Sequence, residues 1–205
     1  RWLVMLALLG MLASLLPPAA LAETPEDETA SFGIANGGFE ETENGKPVGW
    51  TPWGNTVFES VYEPVLSGEK SVKLTDASSA SGNGIRSTSV PVVPGQYYRA
   101  SVYSYVESGT SQLYLEFWNA ANERIDVKIA NISSTGRWDN ASIVAIAPQN
   151  AVAATLLLYQ HVGNVGTAYF DDASFAEVSG DLPYNGGFEL VTGNQPDGWT
   201  SLGTG

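Results

Sequence analysis

The chain has no cysteine, a single histidine, and only nine basic residues against 22 acidic ones. Without cysteine it can form no disulfide, offers no thiol nucleophile, and lacks the lipid-bearing cysteine that tethers many exported bacterial proteins. Any staple must come from elsewhere, and a metal ion is the natural candidate. The shortage of positive charge, formally −13 over 205 residues, repels phosphate backbones and anionic lipid. It excludes nucleic acid as a partner and favours neutral over polyanionic ligands. Catalytic signatures are missing too: there is no HExxH, no GxSxG and no phosphate-cradling glycine loop. His161, the lone histidine, has no Ser–Asp pair beside it, and no carboxylate spacing singles out a glycosidase pair. The chain therefore reads as non-catalytic.

Long apolar runs are scarce as well. The longest, in RWLVMLALLGMLASLLPPAALA, breaks at Pro17-Pro18, short of the roughly 20 residues that cross a bilayer. It closes on Ala20-Leu21-Ala22, the small-x-small pattern of a signal-peptide cleavage site, so residues 1–22 read as a secretory signal and the protein as secreted or associated with the cell surface. Cleavage removes Arg1 and leaves −14. Residues 23–31, with ETPEDETA, read as an acidic linker. Because the chain opens on Arg1, it is expected to be part of a longer reading frame.

From Phe32 onward, short runs rich in Val, Ile, Tyr, Thr and Leu alternate with Gly, Asn, Ser and Pro clusters about every ten residues, and no helical period lasts three turns. The predicted strands are 56–62, 71–75, 85–93, 97–106, 112–118, 124–132, 140–147, 153–161 and 167–178. They make an all-β, two-sheet antiparallel sandwich. Tyr98, Ala100 and Val102, with Leu113, Leu115 and Phe117, form inward rows. The alternate rows hold Tyr97, Arg99, Ser101, Tyr103 and Tyr105 on one strand and Tyr114, Glu116 and Trp118 on the next. They read either as an outer covering or as one aromatic platform interleaved with hydrogen-bonding groups.

The segment NGGFEETENGKPVGWTPWG at 36–54 returns as NGGFELVTGNQPDGWTSLG at 185–203, with ten of nineteen positions identical and no gap. An offset of 149 suits one whole sandwich domain. The expected organisation is a complete module at 32–178, a linker at 179–184, and the start of a second module at 185–205.

NGGFE with Gly49-Trp50, SGEKSVKL (67–74), VPVVPGQYYRASVYSYV (90–106), LYLEFWNAANERI (113–125), GRWDNASIVAIAP (136–148) and YFDDASF (169–175) together resemble carbohydrate-binding modules of families 4, 9 and 22. These are jelly-roll sandwiches of galactose-binding-like type, usually attached to secreted polysaccharide-degrading enzymes. The resemblance implies a structural calcium that ties the start of the domain to its end. Its matching residues are Glu40, the carbonyls of Gly38 and Lys70, the turn beginning at Ser67, and Asp171. Members often carry a carboxylate where Ser67 stands. It also implies a polysaccharide or oligosaccharide ligand, held by rings that stack on pyranose faces and by planar polar groups that bind hydroxyls. The matching candidates are Trp118, Tyr103, Tyr105 and Tyr114 with Arg99 and Glu116, a cluster of Tyr159, Gln160 and His161, and Trp53 in the WTPWG loop. Trp50, repeated at Trp199, reads as a core anchor, and Trp138 as structural. A spacer or adhesion repeat of a cell-surface protein stays open as the alternative.

Overall fold

The structure, a computed structural model, describes residues 33–178 except 55 and 134, together with the strand pairs at 191–192 and 195–196. The expected signal peptide (1–22), the acidic linker (23–31), the linker at 179–184 and most of the second NGGFE copy lie outside the described residues.

Every regular element among the described residues is a strand. In chain order they are β1 (Thr42–Glu43), β2 (Lys46–Pro47), β3 (Trp50–Trp53), β4 (Val57–Val61), β5 (Ser71–Asp76), β6 (Asn83–Ser87), β7 (Val90–Pro91), β8 (Tyr97–Ser108), β9 (Ser111–Trp118), β10 (Arg124–Ile132), β11 (Trp138–Ile146), β12 (Ala153–Gln160), β13 (Gly166–Glu177), β14 (Val191–Thr192) and β15 (Gln195–Pro196). One antiparallel sheet has the order β10-β9-β12-β6-β3, with β7 also on β12; the other has the order β11-β8-β13-β5-β4. The chain forms a jelly-roll β-sandwich: the two-sheet sandwich that the strand pattern predicts, in the form that the family resemblance implies. The short hairpin β14–β15 falls 149 residues after the hairpin β1–β2, at the same positions in the repeated segment.

The core forms because each long strand is apolar at every second residue. Tyr98, Ala100, Val102 and Val106 from β8, Leu113, Leu115 and Phe117 from β9, and Ala154, Leu156 and Leu158 from β12 are buried together between the sheets. Burying each large apolar side chain contributes about 1.5–3 kcal/mol. Tyr98 keeps its ring inside, stacked on Phe175 at 5.1 Å. Its hydroxyl accepts the Val93 N–H at 2.8 Å, so the polar atom is satisfied.

On β13 the inward parity changes part-way, from Ala168 and Phe170 to Ala173 and Phe175. A one-residue bulge between Asp171 and Ser174 makes the switch, with Asp172 at φ +49°. The bulge sets Asp171 and Asp172 against the opening turn, where the Ala173 N–H donates to the Gly37 carbonyl at 2.8 Å.

Two differences from the sequence reading matter. The predicted strand 85–93 is two strands, β6 and β7, separated at Thr88 and Ser89, and the WTPWG segment is itself a strand, β3. Replacing Phe117, the fully buried penultimate residue of β9, with Ala should cost about 3–5 kcal/mol in denaturant unfolding. A loss under about 1 kcal/mol would show that the two sheets do not share this core.

Candidate functional site

The link between β8 and β9 is only Gly109-Thr110, which in sequence looks like a hairpin turn. It is instead a corner between the sheets: β8 pairs with β11 and β13, and β9 with β10 and β12. The expected single platform is thereby split. Arg99, Tyr103 and Tyr105 lie on the outer face of the five-stranded sheet. There Tyr105 meets Trp138 at 5.9 Å and Tyr169 at 6.0 Å. The Tyr169 hydroxyl donates to Glu107 at 2.9 Å, and burial together with that bond pushes its pKa up to about 12.

Tyr114, Glu116 and Trp118 belong to the outer face of the six-stranded sheet, and the register assembles their neighbours. Leu157 stands opposite Tyr114 and Thr155 opposite Glu116. Arg86 stands opposite Leu157 and Gly84 opposite Tyr159. Thr51 faces Arg86, and Trp53 faces Gly84. Three rings form a row across these strands: Trp53 and Tyr114 each lie 5.2 Å from Tyr159, at 89° and 65° to its plane. Tyr159 is only 8% exposed and forms the floor, while the other two rings stand at its sides.

Glycine makes that floor. A Cβ at Gly82 would meet the Tyr159 hydroxyl at 2.0 Å, and one at Gly84 would meet the Leu158 carbonyl at 2.6 Å and the Tyr159 ring at 3.1 Å. Burial raises the pKa of both tyrosine hydroxyls, so they remain neutral donors.

Beside the rings is a polar cluster built on Glu116, which is wholly buried. Arg86 holds both carboxylate oxygens, Nε to Oε2 at 2.7 Å and Nη2 to Oε1 at 3.2 Å. Arg124 Nη1 donates to Oε1 at 2.7 Å, and the Thr155 hydroxyl donates to Oε2 at 3.0 Å. Trp118 donates its indole N–H to Thr155 at 2.9 Å, while the Arg86 guanidinium lies over its ring at 5.3 Å. Glu116 is thus not the sugar-facing acceptor expected from sequence; it orients Arg86, Arg124 and, through Thr155, Trp118. Gln112 and Asn131, joined amide to amide at 2.6 Å, extend the polar edge.

The Tyr159, Gln160 and His161 cluster also divides. Successive strand residues face opposite ways, so Tyr159 faces out and Gln160 points into the interior with none of its surface exposed. His161 lies beyond the end of β12, exposed, its ring 6.2 Å from Tyr159. Trp50 is buried against Phe39 at 5.0 Å, as a core anchor should be.

Sequence reasoning missed Arg86, Arg124 and Thr155 as parts of the site. For Arg86 a signal was present: the alternation Asn83, Ile85, Ser87 inward leaves Gly84 and Arg86 outward. It was hidden by starting the strand at Ile85.

With the geometry in place, comparison with known proteins settles the family. Residues 33–159 match the family model CBM_4_9, described as a carbohydrate binding domain. The chain belongs to this family. No curated protein matches it. Among solved structures, the CBM22-1 xylan-binding domain of Paenibacillus barcinonensis Xyn10C is similar, with TM-score 0.54 and 16% identity over 73% of this chain and 94% of that one. A cyclase from Fischerella sp. TAU is similar with TM-score 0.60 and 13% identity, over 73% and 98%. The enzymatically active domain of tailspike protein 4 of bacteriophage CBA120 gives TM-score 0.60 and 14% identity over 71% of this chain, which spans 21% of that protein. At these identities the likeness is one of fold, and the fold carries a binding domain, a cyclase and a tailspike.

In this carbohydrate-binding domain the five residues expected to ligate calcium converge. The Glu40 carboxylate accepts the N–H groups of Glu69 and Lys70 at 2.9 and 3.2 Å. The Lys70 ammonium donates to the Glu40 carbonyl at 2.7 Å. Asp171 Oδ2 accepts from Leu66 at 2.9 Å and Ser67 at 3.2 Å, and the Ser67 hydroxyl donates to Asp172 at 2.9 Å. Gly38 lies between Asp172 and Glu40, and Gly68, at φ +67°, leaves room for the Glu40 carboxylate, which a Cβ there would meet at 2.0 Å. Burial raises the pKa of Asp171 while the N–H bonds oppose the rise. Carboxylate and carbonyl oxygens are the donors calcium takes, so the set fits in kind. Among the described residues no three His, Cys, Asp or Glu side chains are grouped to hold a metal. Such an ion would therefore lean on the carbonyls of Gly38 and Lys70.

Replacing Glu116 with Gln should lower stability by about 2–3 kcal/mol, because two guanidiniums lose their shared counter-charge. Trp118 fluorescence should shift as its Thr155 and Arg86 contacts relax. An unchanged spectrum would show that Glu116 does not orient the ring.

Proposed function

We propose that the chain is a non-catalytic carbohydrate-binding module of a secreted protein, holding that protein on a polysaccharide whose backbone is largely neutral. The observation that carries this reading is the row Trp53–Tyr159–Tyr114. It offers a ring floor and two ring sides to the C–H-rich faces of a sugar chain, with amide, guanidinium and hydroxyl groups beside it for the sugar hydroxyls. The acidic surface supports a neutral backbone. The signal-like segment 1–22 supports export, and the repeated NGGFE segment supports tandem copies whose linked sites would add avidity. That same repetition is what favours the second reading, a cell-surface spacer or adhesion repeat.

The test is electrophoresis through gels containing xylan, β-glucan or other neutral glycans, comparing wild type with Trp53→Ala, Tyr114→Ala and Trp118→Ala. Wild type should be retarded on at least one glycan, and loss of either Trp53 or Tyr114 should weaken binding about tenfold, the scale of one lost stacking contact. Unretarded wild type on every glycan would sink the binding reading and leave the spacer reading, and equal retardation of all four proteins would remove the ring row from it.

We further propose that Glu40 and Asp171, with the carbonyls of Gly38 and Lys70 and the turn beginning at Ser67, hold a structural calcium ion. Its charge would offset the carboxylates that the clamp brings together. Chelation should lower the melting temperature by several degrees, and added calcium should restore it. Identical melting curves with and without chelator would remove calcium from the account.

A further inference from the structure

We propose that Arg124 equips this face to recognise carboxylate groups spaced along an otherwise neutral glycan, such as single uronic-acid branches. The inference rests on the glycan-binding reading of the same face.

The polar cluster is unbalanced. It contains one carboxylate, Glu116, and two guanidiniums, and Arg86 alone occupies both carboxylate oxygens. Arg86 and Glu116 already make a neutral, two-pronged pair, and Thr155 adds a third donor. Arg124 is surplus to that balance. It spends one N–H, on Nη1, at 2.7 Å from Oε1, and among the described residues it makes no other hydrogen bond or ion pair. Its side chain is 44% exposed, so the rest of its fork faces solvent.

Its position is as telling as its charge. Arg124 opens β10 opposite Trp118, and the Glu116 carboxylate that it bonds lies between Tyr114 and Trp118 on the outward row of β9. The fork therefore stands between two rings of the face. The acids that flank it in the chain are engaged: Glu123 accepts from the Asn119 side chain at 2.9 Å, and Asp126 pairs with Lys128 at 3.5 Å. Asn119 is neutral, so Glu123 keeps its charge beside the fork; the Glu116 cluster itself carries +1, two guanidiniums on one carboxylate, on a chain whose total is −13. The overall charge opposes a polyanion with an acid on every unit, whereas a planar fork beside stacking rings suits an isolated carboxylate, which it can hold through two parallel N–H bonds. Mixed chains meet both conditions.

The experiment compares glucuronoxylan with the same polymer after its carboxyl groups are reduced to alcohols, using the full chain, Arg124→Gln and Arg124→Lys, at low and high salt. Wild type should bind the native polymer about two- to fivefold more tightly than the reduced one, the range of an exposed ion pair. High salt should erase that preference. Arg124→Gln should bring the ratio of native to reduced binding to about one, and Arg124→Lys should keep part of the preference. Equal binding of both polymers by wild type overturns the proposal, as does an Arg124→Gln protein that weakens on both alike, which would mark Arg124 as merely structural. If neither polymer, nor any neutral glycan, is bound by wild type, the glycan-binding reading falls and this inference falls with it.

Discussion

Two sheets share one core, so every side chain the core takes decides which way its neighbour points. On β9 the core takes Leu113, Leu115 and Phe117, and Tyr114, Glu116 and Trp118 are sent to the other side. On β12 it takes Leu156 and Leu158, which leaves Thr155, Leu157 and Tyr159 facing out. Because β9 and β12 are neighbours in register, these outward rows stand side by side and form one surface. The site is in this sense the complement of the core.

A carboxylate with none of its surface exposed, that of Glu116, sits at the centre of that surface. An isolated buried charge would cost several kcal/mol. Here the cost is offset by four short hydrogen bonds from two guanidiniums and a hydroxyl. These same bonds fix the directions of Arg86 and Arg124, and Thr155 passes the constraint to the Trp118 indole. Long flexible side chains that would lose rotamer freedom on meeting a ligand are already held before it arrives. Rigidity in the ring row has a different source, since Tyr159 is seated by the missing side chains of Gly82 and Gly84.

Period-2 patterning carries the strands and inward rows of β8, β9 and β12 in plain view, because alternation over eight or more residues has few other readings. Alternation cannot say which sheet a strand joins. Gly109-Thr110 has the length of a hairpin loop, and only the packing of two sheets makes it a corner, which moved Tyr103 and Tyr105 to the far face. Gln160 failed for a simpler reason: as the next residue after Tyr159, it could not share its side of the strand. Glu116 was placed on the correct face but given the wrong role, since sequence does not show that two arginines, one 30 residues upstream and one eight downstream, converge on it. Where a family resemblance supplied long-range pairing, as for Glu40 and Asp171, both carboxylates reach the same turn at 66–70.

The opening motif shows how one short phrase can serve both levels of organisation. Asn36, at φ +51°, accepts the Glu41 N–H through its side chain and donates to the carbonyls of Glu41 and Val48. Its own carbonyl accepts the Trp50 indole N–H at 3.2 Å. This knot turns Phe39 into the core and Glu40 toward the Glu69–Lys70 turn. It holds β3 by its first residue, Trp50, and three residues later the same strand delivers Trp53 to the ring row. The motif therefore reaches the candidate face only through backbone geometry. Every residue of NGGFE is spent on seating the chain, which is why the motif can be repeated at 185–189 while the position matching Trp53 becomes Leu202. Anchoring and recognition are written in different residues, and the second can vary without disturbing the first.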